Sequence, residues 1–278
     1  MNSMQAIFFW GALVALGLIA LFLIIYVVGL QKSGHTKGTG GSLKSIEQIL
    51  LGMMVLVVTL LTGVIAARWI ETGHGPFSSM FEFSIAFAWG IVILGILYWF
   101  RYRIMLVSGA SSVIALALLV YASQLSSQAA ELVPALQQSF LLSTHVAAAA
   151  ISYGAFAIGF IAAILILWQR RKTISWLPSP ETLDRISYHT VIIGFPLLTL
   201  VIILGAIWAE QSWGRYWSWD PKESAALVTW LFYAGYLHTR ILKGWQGTRS
   251  AVLLVIAFTA VIFTFFGNYI FQGLHAYS

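Results

Sequence analysis

Long apolar runs, separated by short charged or glycine-rich segments, occupy most of the chain. Each run is close to the length that an α-helix needs to cross a hydrocarbon core of ~30 Å. Runs bounded by charged and turn residues predict eight membrane spans. They lie at residues 6–30, 46–67, 81–100, 104–124, 140–168, 187–209, 224–242 and 250–271. The pattern therefore predicts an all-α fold, a polytopic membrane helix bundle of about eight transmembrane helices.

Positive charge indicates the orientation of this bundle. Twelve of the fifteen lysines and arginines lie in alternate connections, within residues 32–44, 101–103, 170–185 and 240–249. The opposite side holds only Arg68, Arg215 and Lys222. Because basic residues stay preferentially on the cytoplasmic side, we expect both termini on the external side. The net charge of +6 follows mostly from this bias and requires no nucleic-acid partner.

The composition supports the membrane class and excludes thiol chemistry. The chain of 278 residues is 60% hydrophobic and 9% charged, whereas soluble domains carry roughly a quarter charged residues. It has no cysteine, which excludes thiolate metal sites, disulfides within the chain and thiol catalysis. The first run has no basic n-region and no small-residue cleavage site, so we interpret it as a retained helix. We divide the chain into N-terminal spans at 1–67, with a flexible cytoplasmic linker at 31–44, and a membrane domain at 68–278.

Aromatic residues concentrate in the predicted external loop at 208–224, which contains the string WGRYWSWDPKE. Five of the twelve tryptophans fall within 23 residues, at Trp208, Trp213, Trp217, Trp219 and Trp230. An interfacial tryptophan belt is one explanation, although a belt spreads its residues among the spans. A large flat apolar ligand that stacks on rings is another, with Arg215 and Lys222 meeting its carboxylates. The loop by itself does not distinguish a porphyrin from a quinone or a lipid headgroup as its ligand.

The end of the same string is typical of a helix start. Asp220 fits an N-cap, Pro221 the first helical position and Glu223 the third, from which its side chain reaches back to the cap. The apolar run of the seventh span follows at once. Capping explains Asp220 and Pro221 without excluding a second role for them.

The histidines divide between the two predicted sides. His145 and His275 lie on the external side with the aromatic loop, as does His74. Two imidazoles from different helices can ligate a haem iron, whereas a single histidine near a helix end more often makes only a hydrogen bond. His238 lies 18 residues after Asp220 on one predicted helix, a rise of ~27 Å. It therefore belongs to a second, inner site if it binds anything, with His189 or a histidine of another chain as its companion.

Several strings in the chain resemble those of a known family. The string WGRYWSWDPKE resembles the WWD signature of membrane proteins that handle haem during the maturation of c-type cytochromes. The strings GHGPFSSMFEF, THV, DRISYHTVIIGFPLLTL and FGNYIFQGLHAYS place the chain nearest the CcsA/ResC family of the System II cytochrome c synthase. The resemblance covers the chain from about residue 70 to its end. At His189 it leads us to expect a basic or amide residue instead, which leaves the role of His189 open.

The resemblance implies a role for each matching residue. His145 and His275 correspond to two external ligands of the haem iron, and His238 to a haem ligand within the membrane. The companion of His238 is expected in the partner protein of the family. The predicted haem-binding set of the loop is Trp213, Gly214, Arg215, Tyr216, Trp217, Trp219, Asp220, Pro221 and Lys222.

The resemblance also implies a function. We expect a subunit of cytochrome c synthase, a haem lyase component that binds haem b as substrate and transient ligand. We expect this subunit to pass the haem across the membrane and to present it at the external loop and the two external histidines for thioether attachment to apocytochrome c. The implied partners are a ResB/CcsB-like membrane protein, an apocytochrome c with a CxxCH motif and a thioredoxin-like thiol reductant. The implied location is the bacterial plasma membrane, or the thylakoid membrane if the chain is plastid-derived. The alternatives are a haem delivery factor of the CcmC type, a quinone-linked b-type cytochrome and a transporter.

Overall fold

The computed structural model describes residues 1–33, 40–73, 75, 79–128, 139–170 and 174–270, without the side chains of residues 40, 139 and 267–270. All regular structure in these ranges is helical, which confirms the predicted fold class. Eight helices follow one another: α1 Ser3–Ser33, α2 Gly40–Thr72, α3 Met80–Tyr102, α4 Met105–Ala122, α5 Ser139–Gln169, α6 Pro180–Trp213, α7 Pro221–Leu242 and α8 Thr248–Ile270.

Seven of these helices are long and apolar enough to cross a membrane within the described ranges, and α7 is the helix outside that set. Its 22 residues give a length of about 33 Å, which is sufficient for a span. Its composition sets it apart, because it is the least apolar of the eight helices. The molecule is a polytopic helical membrane protein, and the external position of both termini stays a prediction.

Side-chain caps define where several helices begin. Ser79 and Glu82 form a reciprocal capping box at the start of α3, which satisfies backbone N–H groups that have no partner within the helix. Ser179 caps α6 ahead of Pro180. Asp220 and Glu223 form a second capping box at the start of α7, which confirms the helix start predicted from the string DPKE.

Two segments predicted as connections are partly helical, because the neighbouring helices extend into them. Residues 31–33 and 41–44 of the predicted linker 31–44 extend α1 and α2, while 34–39 lie outside the described residues. In the predicted external loop 208–224, residues 208–213 end α6 and residues 221–224 begin α7. Polar residues beyond an apolar run continue a helix into the interface because its backbone hydrogen bonds are satisfied internally. The connection itself is therefore only 214–220.

Helix α5 lies at the centre of the bundle and packs against α3, α6 and α8, while α1 packs against α2 and α4. The crossing of α3 and α5 is close, because a Cβ on Gly90 would lie 2.6 Å from the carbonyl oxygen of Ala150. Small residues permit such contacts between membrane helices. Helix α7 packs mainly against α8 and secondarily against α6, so its position depends mainly on α8.

Ion pairs join helices at both ends of the bundle. At the predicted external end, Arg68 of α2 is 1% exposed and its Nη2 lies 2.7 Å from Oε1 of Glu82 on α3. At the predicted cytoplasmic end, Arg240 of α7 contacts Asp184 of α6 through Nη1 at 2.8 Å and Nη2 at 2.5 Å. Two parallel contacts of this kind fix the orientation of an arginine as well as its position.

Candidate functional site

The aromatic loop begins where α6 ends. Trp213 is the last helical residue, and Gly214 follows in the left-handed conformation with φ of +70°. Its N–H donates to the carbonyl of Glu210 at 2.8 Å, which closes the last turn. A residue without Cβ adopts this conformation at little cost, which accounts for glycine at this position. The chain then turns away from the axis of α6.

Glu223 organises the loop from the first turn of α7. Its Oε2 accepts hydrogen bonds from the backbone N–H of Ser218 at 2.8 Å and of Asp220 at 3.2 Å. The hydroxyl of Ser218 also lies 3.3 Å from this carboxylate. Asp220 is 5% exposed, and its Oδ1 accepts from the N–H of Lys222 at 2.9 Å. The carboxylates of the helix start therefore hold the loop as well as the helix.

The braced loop exposes aromatic rings. Trp219 is 71% exposed and Tyr216 is 62% exposed. Trp219 has φ of +59°, a conformation that costs a non-glycine residue on the order of 1–2 kcal/mol. Its ring packs edge-on against that of Trp217 with centroids 5.8 Å apart. Such an exposed bulky ring in a strained conformation is a feature typical of ligand-binding sites.

His145 lies on α5 and faces α6. Its Nδ1 is 3.0 Å from the carbonyl oxygen of Val201. A carbonyl oxygen only accepts, so Nδ1 carries the hydrogen and, in the neutral ring, Nε2 carries the lone pair. Histidines that bind metals show this same arrangement, in which a backbone carbonyl fixes the tautomer through the other nitrogen. The ring also borders Gly205, where a Cβ would lie 3.1 Å from Cε1 of His145.

Helix α6 connects His145 to the loop. From Gly205 to Trp213 the helix rises by about 12 Å, so the imidazole lies roughly two turns below the loop. Between them, Trp208 is buried and packs edge-on against Trp213 with centroids 4.8 Å apart. The imidazole, which α5 carries, and the aromatic loop, which follows α6, thus both border the C-terminal part of α6.

Lys222 supplies a cation beside the loop. Its Nζ lies 5.1 Å from the ring centroid of Phe83 on α3, which links the starts of α3 and α7. Burial lowers the pKa of Lys222 to about 8, and the negative charge of Asp220 opposes this shift. Arg215 is exposed on the same connection. Both cations predicted to meet carboxylates therefore lie at this end of the bundle.

The two described membrane histidines have different surroundings. His238 is exposed on α7, two residues before Arg240. His189 of α6 lies with Nδ1 3.1 Å from the hydroxyl of Tyr98, and its ring contacts Tyr98 and Tyr102 of α3. His189 thus bonds to α3, and its pairing with His238 stays a hypothesis. Across the described ranges, no group of three or more His, Asp or Glu side chains forms a metal site.

The structure describes most of the predicted site. The described residues at the predicted external end include His145 and the complete predicted set from Trp213 to Lys222, together with Ser218 and Phe83, which sequence reasoning missed. Ser218 lies inside the quoted string, and its place between two tryptophans gave no signal of its hydrogen bond to Glu223. His275 and His74 lie outside the described residues.

Comparisons with known proteins agree with this architecture. A family model described as "Cytochrome C assembly protein" matches residues 77–275. The chain belongs to this family. Among similar proteins, "Cytochrome c biogenesis protein CcsA" of Guillardia theta is 36% identical, covering 84% of this chain and 87% of that protein. The protein of the same name from Chlamydomonas reinhardtii is 40% identical, covering 84% of this chain and 68% of its own length. These matches show that the chain is a member of the CcsA family.

A solved structure shares the fold. "Cytochrome c Heme Lyase CcmF" superimposes with a TM-score of 0.68 at 16% sequence identity, covering 96% of this chain and 47% of that chain. At this identity the likeness concerns the fold alone. Nearly the whole of this chain therefore superimposes on about half of a longer chain.

Proposed function

We propose that the chain acts in cytochrome c maturation as the haem-handling subunit of a cytochrome c synthase. The observation that carries the proposal is the hydrogen bond from His145 Nδ1 to the Val201 carbonyl, because it leaves Nε2 as the nitrogen with a lone pair. The names of the CcsA relatives point to the same process. Haem is the substrate of the reaction.

The external site holds haem through three kinds of contact. His145 and His275 supply the two axial imidazoles. The exposed rings of Trp219 and Tyr216 provide apolar faces against which a porphyrin packs. Lys222 and Arg215 pair with the propionates, and charge-assisted contacts of this kind are the stronger hydrogen bonds. The capping carboxylates of Asp220 and Glu223 act indirectly, by holding the loop.

Attachment then proceeds by positioning. The two vinyl groups face the CxxCH thiols of an unfolded apocytochrome, and the histidine of that motif replaces one axial ligand. Each thiol adds across a vinyl double bond, with sulfur bonding to one carbon and the proton to the other, so no oxidant is consumed. No side chain of this chain acts as a nucleophile. Catalysis comes mostly from holding the reacting groups together.

The inner site supplies the haem. His238 is exposed on α7, so a ligand or a partner protein can reach it. Its companion imidazole comes from a ResB/CcsB-like membrane partner, and a thioredoxin-like reductant keeps the apocytochrome thiols reduced. Haem then moves by about 27 Å along α7 from His238 to the loop. The host membrane is a bacterial plasma membrane or a thylakoid membrane.

The test is cytochrome c assembly in cells that express the chain with its partner. His145→Gly is expected to abolish assembly, and added imidazole to restore it, because a free imidazole fills the vacated position. His189→Gln is the matched control, a membrane histidine bonded to Tyr98, and it is expected to retain assembly. Equal assembly by wild type and His145→Gly would refute axial ligation by His145. If the isolated chain retained its haem and quinol reduced that haem, the result would indicate a b-type cytochrome instead.

A further inference from the structure

A cleft of about 420 Å³ opens at the end of the bundle opposite the aromatic loop. It lies between the end of α1, the turn from α3 to α4 and the connection from α5 to α6. Its apolar walls include Leu30, Leu106 and Leu177. Clefts of roughly 300–1,000 Å³ with apolar walls and a few polar groups are typical of sites for small ligands.

Arg103 lines this cleft and is held at the turn between α3 and α4. It ends α3 in the left-handed conformation, with φ of +57°, and its N–H donates to the carbonyl of Trp99 at 2.8 Å. Its guanidinium lies 4.4 Å from the ring centroid of Trp99 and 5.5 Å from that of Phe100. Among the described residues, no carboxylate or carbonyl oxygen accepts a hydrogen bond from this guanidinium. The cleft thus holds a positioned cation with donors available for an anion.

The start of α6 adds positive potential to the same cleft. Ser179 and Thr182 line it, and Ser179 is the N-cap of this 34-residue helix. The N-terminal end of a helix carries a partial positive charge that favours anions. Tyr26, which also lines the cleft, donates its hydroxyl to Glu47 at 2.5 Å, and Glu47 itself is not part of the lining. Glu181 in the first turn of α6 is exposed and does not line the cleft, so the guanidinium of Arg103 and the helix end set the sign of the charge that the cleft attracts.

The position of the cleft relative to the membrane indicates which kind of anion it binds. Trp176 lines it and packs edge-on against Trp168 with centroids 5.7 Å apart, and paired tryptophans are typical of the headgroup level. The charge bias places this end of the bundle on the cytoplasmic side, where anionic lipids gather. We propose that the cleft binds an anionic phospholipid, with the phosphate between Arg103 and the start of α6 and an acyl chain against the leucines.

The experiment uses the full chain purified in an uncharged detergent. Native mass spectrometry counts the lipid retained on titration with phosphatidylglycerol, phosphatidylcholine or inorganic phosphate. Arg103→Gln removes the positioned charge, and Arg101→Gln is the matched control, since Arg101 lies over Tyr102 in the same turn but outside the lining. Ser179→Asp is a second variant that keeps a good N-cap while placing a negative charge at the phosphate position.

We expect one phosphatidylglycerol to remain bound to the wild type and to Arg101→Gln. Arg103→Gln is expected to bind about fivefold more weakly, which corresponds to roughly 1 kcal/mol per basic residue at an anionic surface. Ser179→Asp is expected to lose the bound lipid while retaining the helical circular dichroism of the wild type. Equal loss in both arginine variants would show diffuse charge attraction and overturn the proposal. Retention by Ser179→Asp, or displacement by inorganic phosphate alone, would overturn it as well.

Discussion

Replacing Glu223 by alanine tests whether the helix start also builds the haem surface. The substitution removes the acceptor for the backbone N–H groups of Ser218 and Asp220 and for the Ser218 hydroxyl. The apolar run of α7 is unchanged, so the helix itself is expected to remain. The loop should lose its brace, and Trp219 should leave its strained conformation.

The magnitude follows from these contacts. A hydrogen bond to a charged acceptor contributes about 1.5–3 kcal/mol when buried. Glu223 is only half-buried, so the lower value applies to each of the two backbone donors. Together the two contacts give about 3 kcal/mol, or a loop-opening equilibrium shifted by roughly 150-fold.

Hydrogen–deuterium exchange of residues 213–224 measures that shift directly, and haem bound per chain measures its consequence. Exchange is expected to accelerate in the loop alone, and haem retention to fall with it. Glu181→Ala is the matched control, because Glu181 lies in the first turn of α6 and is exposed. Unchanged exchange in Glu223→Ala would refute the bracing role. Faster exchange with full haem retention would separate the loop from haem binding.

Four further outcomes are expected. Because burial lowers the pKa of Lys222 to about 8, raising the pH through 8 should neutralise this ammonium and weaken haem affinity several-fold in a spectral titration, while Lys222→Gln should remove that dependence. The same lowered pKa should make stability rise between pH 8 and 10, where the unfolded chain still binds this proton. Glu82→Gln should leave Arg68 buried without its counter-charge and cost about 3–5 kcal/mol, measured as a loss of thermal stability. Gly205→Val should press on the ring of His145, whose Cε1 would lie 3.1 Å from the new Cβ, and alter the haem spectrum while helix content stays unchanged.

The helices of this chain follow closely from its sequence. Apolar runs and charge locate all eight of them, and the string DPKE locates the start of α7 to the residue. The length of α6 does not follow from hydropathy, since Pro180 begins the helix seven residues before the apolar run. Its first turns are polar and depend on a cap and on Asp184, which contacts Arg240 of α7. The hydropathy pattern along the chain carries no information on contacts between helices that are distant in sequence.

The candidate site, too, is predictable from the sequence only in part. Residue types identified the aromatic loop and His145, because tryptophan clusters and histidines are chemically distinctive. The carbonyl that fixes the tautomer of His145 belongs to Val201, whose side chain carries no such signal. The left-handed conformation of Trp219 is equally hidden, because it results from the hydrogen bonds of Ser218 and Glu223 around it. Backbone groups complete the site, and only the fold reveals which of them lie near a side chain.

The most direct test of the account is the identity of the nitrogen bound to haem iron. His145→Gly, purified with its partner protein and loaded with haem in ¹⁵N-imidazole, is suited to electron–nuclear double resonance. If His145 is an axial ligand, a ¹⁵N coupling of axial-ligand strength is expected in this variant and none in a His189→Gly control. A spectrum of His145→Gly that retains two ¹⁴N imidazole ligands from the protein would contradict it.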